Sequence, residues 1–133
     1  MRVLGQFDAE QDDALVDLDL PQPVPGPRDL LVAVAAISVN PVDIKVRAGV
    51  APPAGEAKVL GWDAVGTVKS VGKDVTLFKP GDNVFYSGSI TRPGTNAEYH
   101  LVDERSVGRQ RTRLSIAEAS ALPLTSITAW ELL

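Results

Sequence analysis

The stretch VLGWDAVG (59–66) sets an indole and a carboxylate side by side between two glycines. Trp62 can stack on a planar ligand at the wall of a pocket or fill a core, since its ring is large and apolar with one polar edge. Asp63 can orient a water, or hold its own loop by accepting nearby backbone donors. Upstream, NPVDIKVRAG (40–49) offers the amide of Asn40, a proline suited to a first helical position, and the carboxylate of Asp43. Asn40 can cap that helix and Asp43 can complement its first turn, and either can instead face a substrate. Thr128 places a hydroxyl on a helical face near the C-terminus.

Other residues that look chemical have plainer readings. Gly66 and Gly72 are one residue too far apart for the phosphate loop G-x-x-x-x-G-K-[ST], and Lys73 is followed by Asp74. No G-x-G-x-x-G opens a helix, so both glycines are read as bends in a β-strand. His100 alternates with Tyr99 and Leu101 in a strand pattern and is expected to face solvent, with no second histidine in the chain to pair with. In RSVGRQRTR (105–113), Arg105, Arg109, Arg111 and Arg113 carry no interleaved aromatic, so the run is read as a solvated connector. With no cysteine, the chain has neither a disulfide, a thiolate zinc site nor a thiol nucleophile.

The elements that must position these groups are mostly strands. ALVDLDL (14–20), LLVAVAAISV (30–39), AVGTVKSV (64–71), NVFYSG (83–88) and AEYHLV (97–102) are separated by Gly, Pro and Asp clusters, which predicts an all-β barrel or sandwich. PQPVPGP (21–27) is an extended surface connector and KPGD (79–82) a type II turn. SIAE (115–118) is a capping box opening a helix, and a second helix over 125–133 begins with hydroxyl residues that can cap it. That helix ends in AWELL with no glycine or basic residue in its last turn, so the chain is expected to be the N-terminal part of a longer protein.

Composition narrows the function. Apolar residues at 44% and charged residues at 23% fit one folded domain, and the net charge of −4 argues against nucleic acid. There is no apolar leader and no run of about 18 apolar residues, so no membrane partner and a cytoplasmic location are expected.

The ordered blocks SVNPVDIKVRAG, LGWDAVGTVKSVG, FKPGDNVF, GTNAEYHLV and LSIAEASALPLTSITAWELL resemble the N-terminal half of the medium-chain dehydrogenase/reductase superfamily. They are most similar to its zinc-free quinone oxidoreductase branch, often called zinc-type alcohol dehydrogenase-like. The resemblance implies a mainly β fold with short helices: a GroES-like β-barrel over residues 1–122, with 123–133 leading toward a Rossmann domain not in this chain. It places Asn40, Asp43, Trp62 and Asp63 at the catalytic cleft, and Asn40 and Thr128 near the nicotinamide.

Zinc alcohol dehydrogenases carry a cysteine where this chain has Asn40, a histidine and a glutamate where it has Trp62 and Asp63, and another cysteine where it has Leu124. The four-cysteine lobe of their structural zinc is replaced by SGSITRPGTN (87–96). The resemblance therefore implies no metal, NADPH as cofactor, a quinone or α,β-unsaturated carbonyl as substrate, and a homodimer when full length. The 133-residue chain alone is expected to be inactive. A different class remains open: a free-standing GroES-like barrel that binds or assembles with protein partners, its apolar 124–133 segment an oligomer contact. A reductase of saturated aldehydes remains open as well.

Overall fold

The chain is described from a computed structural model covering residues 1–7, 15–49, 52–53, 55–110 and 113–133. Those residues form strands β1 (Arg2–Gln6), β2 (Leu15–Asp19), β3 (Asp29–Ser38), β4 (Lys58–Val59), β5 (Asp63–Val71), β6 (Asn83–Ser87), β7 (Tyr99–Asp103) and β8 (Val107–Arg109). Helix α1 (Pro41–Gly49) follows β3, and α2 (Ile116–Ser120) and α3 (Pro123–Leu132) close the chain.

β3 carries a continuous apolar run over residues 30–37, and β5 is buried over 63–66 and at Val68, because both are inner strands of a five-stranded antiparallel sheet of order β7-β3-β5-β6-β8. Leu30, Val32, Ala64, Val68, Val84, Tyr86 and Val102 are buried together there, with Val34, Val71, Val75, Phe78 and Val107 packed against them. Full burial of a valine or leucine side chain contributes about 1.5–3 kcal/mol, so this cluster is what holds the packed face of the sheet together. A second antiparallel sheet has the order β2-β1-β4.

Residues 96–98 stitch the sheets. Leu4 N donates to Asn96 O at 2.8 Å, Glu98 N to Arg2 O at 3.1 Å, and Val34 N to Glu98 O at 3.0 Å. The expected barrel is thus an open one, two sheets sewn along one seam.

The five anticipated strands are present within a residue or two of their expected ends. β1, β4 and β8 were not anticipated: β1 is five residues long and carries a glycine, β4 is two residues long, and β8 lies in the arginine run. The connector reading of that run is corrected over 107–109, where Phe85 faces Gly108 and Tyr86 faces Val107 in a ladder. Two of its arginines are engaged: Arg105 is bidentate on Asp103, and Arg109 reaches Asp82 at 3.0 Å and lies over the Phe78 ring. Arg111 lies outside the described residues.

His100 also departs from expectation. It is 5% exposed, opposite Val32 in the β3–β7 ladder, so it points into the fold. Pro93 O, an acceptor only, receives Nε2–H at 3.0 Å. Nδ1 must then accept, and Tyr86 Oη donates to it at 2.9 Å with the two rings stacked. Burial holds the imidazole down at about 4 and pushes the Tyr86 phenol up. The alternation was real, but the inner face was assigned to the wrong residues.

The turns follow their residues. Gly81 takes φ +94° and Asp82 N returns to Lys79 O at 3.2 Å, as the KPGD turn requires. Gly72 sits where the proline connector crosses the end of β5, and a Cβ there would stand 1.9 Å from Gly26 O and 2.4 Å from Pro27 O. The Ser115–Glu118 capping box forms in both directions. The hydroxyls of α3 do not cap it: Pro123 begins the helix, and Thr125 and Thr128 donate backward to Ala121 O at 3.0 Å and Leu124 O at 2.9 Å. No helix among the described residues is long and apolar enough to cross a membrane.

Two measurements test this frame. The unfolded chain protonates histidine near the ordinary 6.5, before the folded chain does, so His100 stability is complete above that pH and lost on acidification toward about 4. Chemical denaturation should show up to about 3 kcal/mol lost across that window, and ring resonances of this sole histidine should stay neutral down to pH ~5; an ordinary titration near 6.5 would contradict the burial. Gly72→Ala should cost about 2 kcal/mol or more because backbone must move, whereas Gly49→Ala, with open space at its Cβ, should be neutral or slightly stabilising.

Candidate active site

The antiparallel register pairs Ser38, the last residue of β3, with Asp63, the first of β5. That alone brings the residues just beyond each strand end together, although more than twenty positions separate them in sequence. Asn40 sits directly ahead of α1, and its side chain does not cap the helix. Nδ2 donates instead to Asp63 Oδ2 at 2.8 Å and to Ser38 O at 3.4 Å. The start of α1 is closed by Asp43, whose Oδ2 accepts from Asn40 N at 2.8 Å while Asp43 N donates to Asn40 O at 2.9 Å.

The other oxygen of Asp63 reaches α3. Leu122 stands at the N-cap of that helix and supplies no side-chain hydrogen bond. Leu124 N donates to Asp63 Oδ1 at 2.8 Å, so a carboxylate from 61 residues earlier does the capping. Asp63 is fully buried. Its burial pushes the carboxyl above the ordinary carboxylate range, the two N–H donors pull it back, and nearby Asp43 adds to the rise.

Between α1 and α3 opens a concavity of about 570 Å³, lined by Pro41, Val42 and Lys45 on one side and Leu124, Thr128 and Leu132 among others on the other. Its walls are apolar apart from the Lys45 amine and the hydroxyls of Thr125 and Thr128. The Thr128 proton is already given to Leu124 O, so its oxygen can serve a ligand only as an acceptor. Lys45 was not singled out from the sequence; the signal was its spacing from Pro41 and Val42 on one face of α1. A second hollow of about 270 Å³ lies beneath Pro21 and Pro23. The one histidine on its wall has both ring nitrogens occupied.

The structure thus joins Asn40, Asp43 and Asp63 by hydrogen bonds and puts Thr128 on the adjoining concavity. Trp62 is set apart from them. It is 2% exposed, so its ring is packed against protein and is not open for stacking on a substrate, and its Nε1 finds no partner among the described residues.

The donor set can be tested against the catalytic zinc that the fold brings to mind. The positions that hold metal in zinc alcohol dehydrogenases converge here as Asn40, Asp63 and the Leu124 backbone. An indole, an aliphatic side chain and an amide whose nitrogen is already donating do not make a zinc ligand set, and the one carboxylate has both oxygens engaged. The residues do not fit the ion.

Residues 26–111 match the alcohol dehydrogenase GroES-like domain family. A zinc-type alcohol dehydrogenase-like protein of Staphylococcus aureus strain COL is 46% identical over 134 aligned residues, covering 98% of this chain and 40% of that protein. A solved protein of Rhizobium etli CFN 42, named for zinc-dependent alcohol dehydrogenase, superposes over the whole chain with a TM-score of 0.95 at 60% identity, covering 40% of its own length. The quinone oxidoreductase of Escherichia coli, solved with NADPH, superposes with a TM-score of 0.88 at 26% identity, again over 100% of this chain and 40% of that one. The chain spans about 40% of the length of these relatives. It belongs to the alcohol dehydrogenase GroES-like domain family, within the medium-chain dehydrogenase/reductase superfamily of oxidoreductases.

Proposed function

We propose that this chain forms the substrate-side half of a reductase that passes hydride from NADPH to a quinone or an α,β-unsaturated carbonyl without a metal. The observation that carries the reading is the buried network of Asn40, Asp63 and the Leu124 amide, which occupies the position of a zinc site with groups unable to bind zinc. Reduction of an isolated carbonyl leans on a Lewis acid, whereas hydride addition to the far carbon of an enone or quinone leans on positioning.

When bound, NADPH supplies the hydride. The residues of this chain do the positioning. The apolar walls of Pro41, Val42, Leu124 and Leu132 exclude water from the reacting faces. Lys45 brings positive charge to the rim, where an anionic cofactor or the oxygen of a reduced substrate is stabilised. Asn40 and Thr128 fix the nicotinamide end, and Asp43 and Asp63 hold the ends of α1 and α3 in place around it. Under this reading 1–122 is the substrate domain, 123–133 begins the connection to a nucleotide-binding domain, and the whole protein works as a cytoplasmic homodimer.

The test is an NADPH-oxidation screen of the whole protein with quinones, enones and saturated aldehydes, with metal content measured in parallel. Turnover of quinones or enones by zinc-free protein, unchanged by chelators, is the expected result. Stoichiometric zinc whose removal abolishes activity would overturn the reading, as would activity confined to saturated aldehydes. Separately, the 133-residue chain alone should show no micromolar affinity for NADPH, because the contacts to pyrophosphate lie in the other domain.

A further inference from the structure

We infer that Asp63 is a positioning residue that determines which atom Asn40 offers to a ligand, and that Asn40 in consequence serves the cofactor and not the substrate carbonyl. The inference rests on the proposed NADPH-dependent reduction of quinones or enones.

An asparagine amide can present either its N–H groups or its oxygen. Here the choice is made by chemistry on its buried side. Asp63 accepts on both oxygens, from Asn40 Nδ2 at 2.8 Å and from Leu124 N at 2.8 Å. A carboxylate facing the amide oxygen would be repelled, so Nδ2 must be the atom turned toward Asp63. The second Nδ2 proton points to Ser38 O at 3.4 Å. The backbone N–H and C=O of Asn40 are both taken by Asp43. What remains is Oδ1, which accepts no hydrogen bond from any described residue and is not among the sealed, unpartnered polar atoms.

An amide oxygen only accepts, so the group it meets must be a donor. Quinones and enones carry no N–H or O–H and have nothing to give it. The nicotinamide end of NADPH has a carboxamide NH₂ and ribose hydroxyls. Thr128 on the facing helix has likewise spent its proton and can only accept. Both polar groups fit the donors of a cofactor, and the substrate carbonyl has to find its hydrogen-bond donor elsewhere.

Two experiments test this and separate its failure from that of the functional reading. In the whole protein with labelled asparagine and aspartate side chains, NMR should show a through-hydrogen-bond coupling between Asn40 Nδ2 and Asp63 Cγ and two inequivalent, slowly exchanging amide protons. A freely rotating amide without that coupling overturns the inference whatever the protein does. In the whole protein, Asn40→Ala should raise KM for NADPH at least tenfold and leave KM for the quinone within twofold. Asp63→Asn, whose side chain can face Asn40 with either end and so releases its orientation, should reproduce the same split more weakly. Replacing the carboxamide of NADPH by an acetyl group, and separately removing the nicotinamide ribose 2′-hydroxyl, identifies which donor is held: the penalty seen with one analogue in the native protein should vanish in Asn40→Ala. A rise in quinone KM with NADPH KM unchanged, or equal rises in both, would overturn the assignment even in a confirmed reductase.

Discussion

A buried carboxylate balanced by neutral N–H donors is the constraint around which this molecule is organised. Asp63 is balanced by N–H groups delivered from two directions, one from the residue that precedes α1 and one from the first turn of α3. Isolated burial of such a charge is unfavourable by several kcal/mol, and charge-assisted hydrogen bonds together with a helix N-terminus are what make it tolerable. The strand register, the departure of α1 and the docking of α3 are therefore coupled through one side chain. Loss of any partner leaves the charge exposed to a dry interior, so the three segments are held to one arrangement.

Much of the frame was legible because strand periodicity and turn chemistry are local. The runs at 30–39 and 64–71, the Pro-Gly turn and the Ser115–Glu118 box each carry their evidence within a few residues. What failed was non-local. His100 was put on the outer face because alternation says that two faces exist but not which is dry. Its burial depends on Tyr86 and Pro93 O, one on β6, three strands away in the sheet order, and the other a loop carbonyl. β8 was hidden among arginines, which are usually solvated; Asp82, Asp103 and the Phe78 ring account for two of them only after folding.

The site divides in the same way. Asn40, Asp43 and Asp63 are named from the sequence with local capping or loop partners, but the bonds that join Asn40 and Asp63 into one site are not local. The bonds from Asn40 to Asp63 and from Leu124 to Asp63 span 23 and 61 positions and leave no spacing pattern to read. The resemblance places Trp62 at the cleft, whereas its 2% exposure packs the ring against protein. Resemblance supplied the convergence of these positions; physical chemistry supplied what they do once together, which is to satisfy one another and not a metal ion.

The seam between the two sheets has its own corollary. Residues 96–98 join β1 and β3 through peptide N–H and carbonyl groups, and the Glu98 carboxylate adds to the joint by accepting from Arg2 N at 2.8 Å; Ala97 contributes no polar side chain to it. Residue identity is therefore least constrained at position 97, proline apart, where the side chain can change while the peptide bonds at 96 and 98 keep the N-terminal sheet sewn in place.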